Sequence, residues 1–252
     1  MVYPVNIQFG SVVIPSHLVC ELLAYSLGYR YFIYLRKKSS DLISSDDRTL
    51  IFIAAAAGAF VFSRLVGAFE NPDLFLNRID ISTLYGNKTI LGGLLGGLLA
   101  VEICKKIIGV KSSSGDLMTY PLILAMLIGR LGCHLAGLED GTFGTASQLP
   151  WSIDFGDHIF RHPTNLYEML FLALLWLSLL ALERATQLAD GTRFKLFLFS
   201  YCVFRFLIEF IKPKFMLLFD CSSIQIAALL GVFYYTYLFI KSRIPIKKNI
   251  YA

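Results

Sequence analysis

Residues 116–138 read DLMTYPLILAMLIGRLGCHLAGL, an apolar run with one arginine, Arg130, well inside it. A helix of about 20 mostly apolar residues is long enough to cross a bilayer. The run therefore reads as a membrane span rather than as a core helix of a soluble domain. A charge in the bilayer core costs at least about 2.5–3.5 kcal/mol on insertion scales, so Arg130 is expected to face a polar interior. Gly129 and Gly132 flank it and leave room for a ligand or a second helix. His134, four residues on, shares its helical face.

Six more windows of this kind lie on either side, at roughly 16–35, 49–69, 89–108, 164–183, 194–211 and 222–240. Composition agrees. Only 16% of the residues are charged, where a soluble domain carries about a quarter, and mean hydropathy is +0.63. A disordered chain is excluded and a soluble enzyme disfavoured. The expected fold is all-α: a polytopic membrane protein with about seven transmembrane helices, forming one integral-membrane domain over residues 1–252. The opening MVYPVNIQFGSVVIP lacks a basic stretch followed by an apolar one, so no cleavable signal peptide is expected.

The loops between windows differ in charge. One alternate set holds Arg36, Lys37, Lys38, Arg48, Lys105, Lys106, Lys111, Arg184, Arg193, Lys195, Lys241, Arg243, Lys247 and Lys248; the other holds only Arg78, Lys88, Arg161, Lys212 and Lys214. The positive-inside rule then places the N-terminus outside and the C-terminus in the cytoplasm. An odd number of spans requires the same.

Several other polar residues fall within or beside the windows. Arg30 and Glu102 lie near the expected cytoplasmic ends, where long side chains can snorkel. Arg64 lies near the outer end of the second window. In the sixth, Tyr201, Arg205 and Glu209 recur at i, i+4 and i+8, a polar stripe on an otherwise apolar helix. It reads either as a self-neutralising Arg–Glu pair or as an arginine offered to an anionic ligand. The third window contains GGLLGG, residues 92–97; Gly93 and Gly97 share a face and allow close helix packing, or the approach of a headgroup. A long outer loop, about 139–163, ends in Arg161-His162-Pro163, and Asn165, Tyr167 and Glu168 follow at the start of the fifth window. Long ordered loops tend to be functional. Cys20, Cys104, Cys133, Cys202 and Cys221 match no zinc or redox spacing and read as small buried hydrophobes. No metal site or cofactor is expected, and nothing points to nucleic acid. Two intramembrane arginines, whose forked guanidinium groups match phosphate, point to a phospholipid as the ligand.

With these residues in place, the chain resembles the bacterial prolipoprotein diacylglyceryl transferase family. Arg64 in SRLVGAF resembles the family's arginine in its second span, and GGLLGG its glycine segment. Gly129-Arg130-Leu131-Gly132 resembles the start of the family signature, and His162-Pro163-Thr164-Asn165-Leu166-Tyr167-Glu168 resembles His-Pro-Ser-Gln-Leu-Tyr-Glu. Tyr201, Arg205 and Glu209, with RFLIEF, match the family's sixth span. The likeness runs from about residue 49 to 215. There are departures. Both signature asparagines are replaced, by Cys133 and Ala136, and the signature acid moves one place to Glu139. The His or Tyr that precedes the glycine segment in the family is Leu91 here, so a proposed proton acceptor is absent.

The resemblance implies transfer of a diacylglyceryl group from phosphatidylglycerol to the lipobox cysteine thiol in the signal-peptide region of a prolipoprotein, at the bacterial inner membrane. Arg130 and Arg205 are then expected to bind the lipid phosphate, with Tyr201 and Glu209 orienting Arg205. His134 or His162 would take the thiol proton in place of the family's acceptor. Arg64, Gly92, Gly93, Glu139, Asn165, Tyr167 and Glu168 would line the substrate site. Two alternatives stand beside this reading: the same fold and donor with a different acceptor, and a seven-span transporter or receptor without chemistry.

Overall fold

The structure, a computed structural model, describes residues 3–70, 88–213, 217, 220–242 and 247–248. Arg78, Lys214, Arg243 and the chain end at Ala252, which enter the charge comparison and the topology, lie outside the described residues.

Among the described residues seven α-helices fall on the seven apolar windows: α1 Ser16–Lys38, α2 Ser45–Ala68, α3 Ile90–Ile108, α4 Asp116–Ala136, α5 Thr164–Ala185, α6 Thr192–Ile208 and α7 Ser223–Ser242. Among the described residues four stretches are long and apolar enough to cross a membrane: Ser45–Ala68, Asp116–Asp140, Thr164–Ala185 and Ser223–Lys241. The shortest of these seven, α6, has 17 residues and spans about 25 Å, somewhat less than the hydrocarbon core. An all-helical, multi-pass membrane protein follows.

Local sequence sets the helix ends. Ser44 Oγ accepts from Asp47 N at 3.1 Å to start α2, and Thr89 Oγ1 accepts from Gly92 N at the start of α3. Ser222 and Gln225 exchange side-chain and backbone hydrogen bonds, each at 3.1 Å, forming a capping box for α7. Gly137, at φ 64°, stops α4 and sends the chain into a 3-10 turn, Gly137–Asp140. That φ suits glycine and little else.

The faces of α5 show why the solvent is lipid. Leu172, Leu175 and Leu179 are buried in the common core, while Leu170, Leu174 and Leu177 are 62, 55 and 63% exposed. A helix apolar on all sides belongs in a bilayer. The inner stripe packs with Tyr120, Ile123 and Met126 of α4, Phe197, Leu198 and Tyr201 of α6, and Ile224, Ala228 and Tyr235 of α7.

Helices α2 and α3 pair closely through small residues, as do α1 and α4. A Cβ on Gly58 would sit 2.5 Å from Gly96 O, and one on Gly92 2.7 Å from Phe62 O. The close approach therefore sets Gly96 against Gly58 and Gly92 against the Phe62 backbone. Gly93 and Gly97 instead lie against Ala59 and Ala55 and line a largely apolar cavity of about 560 Å³.

The basic helix ends gather at one end of the bundle. Arg48 donates to Asp41 through Nε at 2.9 Å and Nη2 at 2.7 Å, and to Ser114 O at 2.9 Å. Arg36 joins the same carboxylate at 2.9 Å. Burial works against the Asp41 carboxylate, but hydrogen bonds from Arg48 and the Ile43 N–H, with the nearby Arg48 and Arg36 charges, hold its carboxyl below the usual range.

At the other end, the connection before α5 carries a short antiparallel pair, β3 (Ile153–Asp154) and β4 (Phe160–Arg161). A second pair, β1 (Asn6–Phe9) and β2 (Val12–Pro15), precedes α1.

Candidate functional site

Glu168, in the second turn of α5, is 2% exposed and lies between two arginines. Its Oε2 is 2.9 Å from Arg130 Nη2 on α4 and 3.3 Å from Arg205 Nη1 on α6. Its Oε1 accepts from Tyr201 Oη at 2.8 Å. Arg205 also pairs through Nη2 with Glu209, one turn further on. Two guanidinium groups and two carboxylates thus form one buried, charge-balanced network across three helices. The i, i+4 spacing of Arg205 and Glu209 makes their pair, as the polar stripe in the sequence implies. Tyr201 differs from expectation: it donates to Glu168 rather than orienting Arg205.

Arg130, Arg205 and Glu209 line a polar cavity of about 600 Å³ with Glu70, Lys88, Thr89, Asp140, Thr142 and Lys212. Arg130 Nε and Arg205 Nε are buried and have no protein partner among the described residues. Buried N–H donors are normally satisfied, so the two forks retain donor capacity for an anion. Lys212 lies at the foot of α6, where burial and the neighbouring Arg205 charge push it down to about 8.

Glu139 is exposed on the 3-10 turn. The acid that turns inward is its neighbour Asp140, which accepts from Thr142 Oγ1 and lies 3.2 Å from His17 Nε2. Asn165, 2% exposed, donates through Nδ2 to Thr142 Oγ1 at 3.5 Å, while its Oδ1 is buried without a partner among the described residues. Thr164 Oγ1 donates to Thr142 O at 2.6 Å. Thr142 is therefore a junction between the outer loop and the start of α5.

The two histidines named as proton acceptors lie elsewhere. His134 Nε2 is 3.2 Å from Tyr3 Oη, and its ring packs edge-on to Tyr3 and Phe155. His162 Nδ1 is 3.3 Å from Tyr167 Oη, which accepts from Trp151 Nε1 at 2.7 Å. Neither histidine lines the cavity that holds Arg130. Sharing a helical face did not bring His134 to Arg130 because α4 ends there, and the chain preceding α1 covers the imidazole. Arg64 is at the edge of α2, with its guanidinium 3.7 Å over the Phe60 ring and Nη1 donating to Phe60 O at 3.2 Å. Gly92 serves helix packing, and Gly93 faces the apolar cavity.

Sequence reading missed His17, Cys133 and Asp140, whose side chains meet beside Arg130. The first comes from α1, the second from the last turn of α4 and the third from the 3-10 turn that follows, so no local spacing signals the group. The replacement of an expected asparagine by Cys133 was the available sign.

A family model described as prolipoprotein diacylglyceryl transferase matches residues 4–241. The chain is similar to a phosphatidylglycerol–prolipoprotein diacylglyceryl transferase of Bordetella avium (strain 197N), 31% identical over 83% of this chain and 81% of the relative. A protein of the same name from Trichormus variabilis is 28% identical over 91% of this chain and 86% of the relative. One from Wolbachia pipientis wMel is 29% identical over 79% of each.

Proposed function

Because the chain belongs to the prolipoprotein diacylglyceryl transferase family, we propose that it moves the diacylglyceryl group of phosphatidylglycerol onto the cysteine thiol of a prolipoprotein. Glycerol phosphate is released. The observation that carries this reading is the pair Arg130 and Arg205, tied together by Glu168, lining one cavity with Nε–H groups that have no partner among the described residues.

The reaction needs no protein nucleophile, because the substrate supplies the sulfur. The thiolate attacks the diacylglyceryl carbon that bears the phosphate ester. A C–S bond forms, the C–O bond breaks, and its electron pair leaves with the phosphate. Arg130 and Arg205 hold that phosphate and stabilise the growing charge. Glu168 and Glu209 fix the two guanidinium groups and Tyr201 fixes Glu168, so the donors point inward before the lipid arrives. Asn165 and Thr142 position the outer loop at the cavity, and Tyr167 with His162 fastens its far end.

All seven helices are taken as spans of a single domain, residues 1–252, in the bacterial inner membrane, with the N-terminus outside and the C-terminus in the cytoplasm. The gathering of Arg36, Arg48, Lys105, Lys111 and Lys195 at the end opposite the site supports that orientation. The lipobox cysteine of the signal-peptide region then enters from the outer side.

Leu91 and Cys133 favour a second reading, in which donor and reaction stay the same and the acceptor is another thiol. Complementation of a cell depleted of its own transferase separates the two. Restored growth supports the prolipoprotein acceptor. Failure by a well-folded, membrane-inserted protein moves the reading to the other.

A further inference from the structure

Three side chains from separate segments converge beside Arg130. His17 Nε2, in the first turn of α1, lies 3.2 Å from Asp140 Oδ1 in the 3-10 turn and 4.0 Å from Cys133 Sγ near the end of α4. All three donor atoms lie within 4.8 Å of one another. Carboxylate and sulfur approach the same ring nitrogen. A proton relay of the Asp–His–Cys kind would use both nitrogens, one for each partner. Convergence on one point is instead the geometry of a cation's ligands. For a tetrahedral zinc with ordinary bond lengths, the nitrogen–oxygen and nitrogen–sulfur edges would be about 3.4 and 3.6 Å. These two separations need shifts of only a few tenths of an ångström, and the sulfur–oxygen edge lies within 4.8 Å.

We propose that His17, Cys133 and Asp140 bind a thiophilic divalent cation, with zinc as the fitting ion, and leave a fourth position for the acceptor thiol. One imidazole, one thiolate and one carboxylate suit zinc, and three protein ligands with an open place mark a catalytic rather than a structural site. Cys133 is buried, while His17 and Asp140 keep 30 and 14% side-chain exposure, so the open side is reachable. Thr142 Oγ1 donates to Asp140 and supports the carboxylate from behind. Arg130 Nη1 lies 3.8 Å from Cys133 Sγ. Its charge does not repel the cation at full strength, because Glu168 neutralises it. Asp140 also lines the cavity that holds both arginines, so the site borders the place assigned to the phosphate.

The role of this site rests on the transferase reading. The acceptor thiol takes the fourth position and ionises there, since a coordinating thiol is deprotonated outright. Its proton leaves to solvent at the cavity mouth. The sulfur then attacks the diacylglyceryl carbon, the C–S bond forms, and the C–O electron pair departs on glycerol phosphate. This supplies the thiolate that Leu91 cannot generate and that neither His134 nor His162 is placed to generate.

The test uses the full chain, purified without chelator in phosphatidylglycerol-containing detergent. Wild type should carry roughly one zinc per chain. Replacement with Co2+ should give a near-ultraviolet thiolate charge-transfer band and visible tetrahedral bands. Cys133→Asn, which restores the residue usual in the family, and Asp140→Asn should lose the charge-transfer band or the metal. Wild type that takes up neither zinc nor Co2+ overturns the site, whatever the variants do. So does a Cys133→Asn protein that keeps both the metal and the charge-transfer band. Removing the metal should lower transfer to a lipobox peptide by about tenfold or more, and zinc should restore it. Undiminished transfer by metal-free protein overturns the role and leaves the transferase reading intact. Zinc-replete, folded protein that transfers nothing overturns the transferase reading, while the spectra still decide the site.

Discussion

The Glu168 carboxylate lies 2.9 Å from the Arg130 guanidinium, and this contact joins the start of α5 to the last turns of α4 inside the bundle. The same oxygen reaches Arg205, so one buried carboxylate serves two arginines on different helices. Among the described residues, removing it would leave Arg205 with Glu209 and Arg130 without its ion-pair partner.

Glu168→Gln should therefore destabilise the protein by roughly 3–5 kcal/mol, the range for breaking a buried ion pair from one side. Tyr201→Phe, which removes one hydrogen bond to the same carboxylate, should cost only about 1–3 kcal/mol. Thermal unfolding of both variants in detergent checks the order. Equal midpoints would remove Glu168 from the centre of the network.

Arg130→Lys and Arg205→Lys should insert and fold but lose most activity. Lysine keeps the charge and lacks the planar fork that engages two phosphate oxygens. Lipid-transfer rates normalised to folded protein decide the matter. Wild-type rates in both would confine the arginines to packing.

Lys212 should set an alkaline limit on donor binding. Its ammonium is pushed down to about 8, so it is charged below that pH and neutral above it. The cavity that Lys212 lines loses one positive charge across that step. KM for phosphatidylglycerol should rise as pH passes about 8, while Lys212→Met should show a higher, flat KM. Between about 8 and the unfolded lysine value near 10.4, the unfolded chain binds the extra proton, so stability should increase with pH over that window.

At the opposite end of the bundle, Asp41 holds Arg48 and Arg36. Its carboxyl titrates lower in the folded chain than in the unfolded one. This stabilisation is fully present above about pH 4 and disappears as pH falls through the folded value. Asp41→Asn should lower the melting temperature at pH 7 and shrink the difference from wild type at pH 3. A difference that does not change with pH would contradict the ion-pair account.

The helices were legible because a bilayer calls for long apolar helices, so α4 could be read from 116–138 and the other six described helices from windows of the same kind. Arg205 and Glu209 were legible as partners because a helix repeats its face every four residues. The rest of the site depends on breaks in that repeat. The 3-10 turn after Gly137 rotates the chain, so Asp140 rather than Glu139 points inward. His134 sits in the last turn of α4, where Tyr3 and Phe155 close over it. His17 and Cys133 are 116 positions apart, and only the packing of α1 on α4 brings them together. Periodicity carries no information about such contacts.

Mass spectrometry of a lipobox peptide, incubated with the purified protein and phosphatidylglycerol, tests the central claim most directly. The cysteine of the peptide should gain one diacylglyceryl group with matching release of glycerol phosphate, and a peptide carrying serine in its place should stay unmodified. An unmodified cysteine peptide and intact phosphatidylglycerol, in the presence of folded protein, would contradict the account.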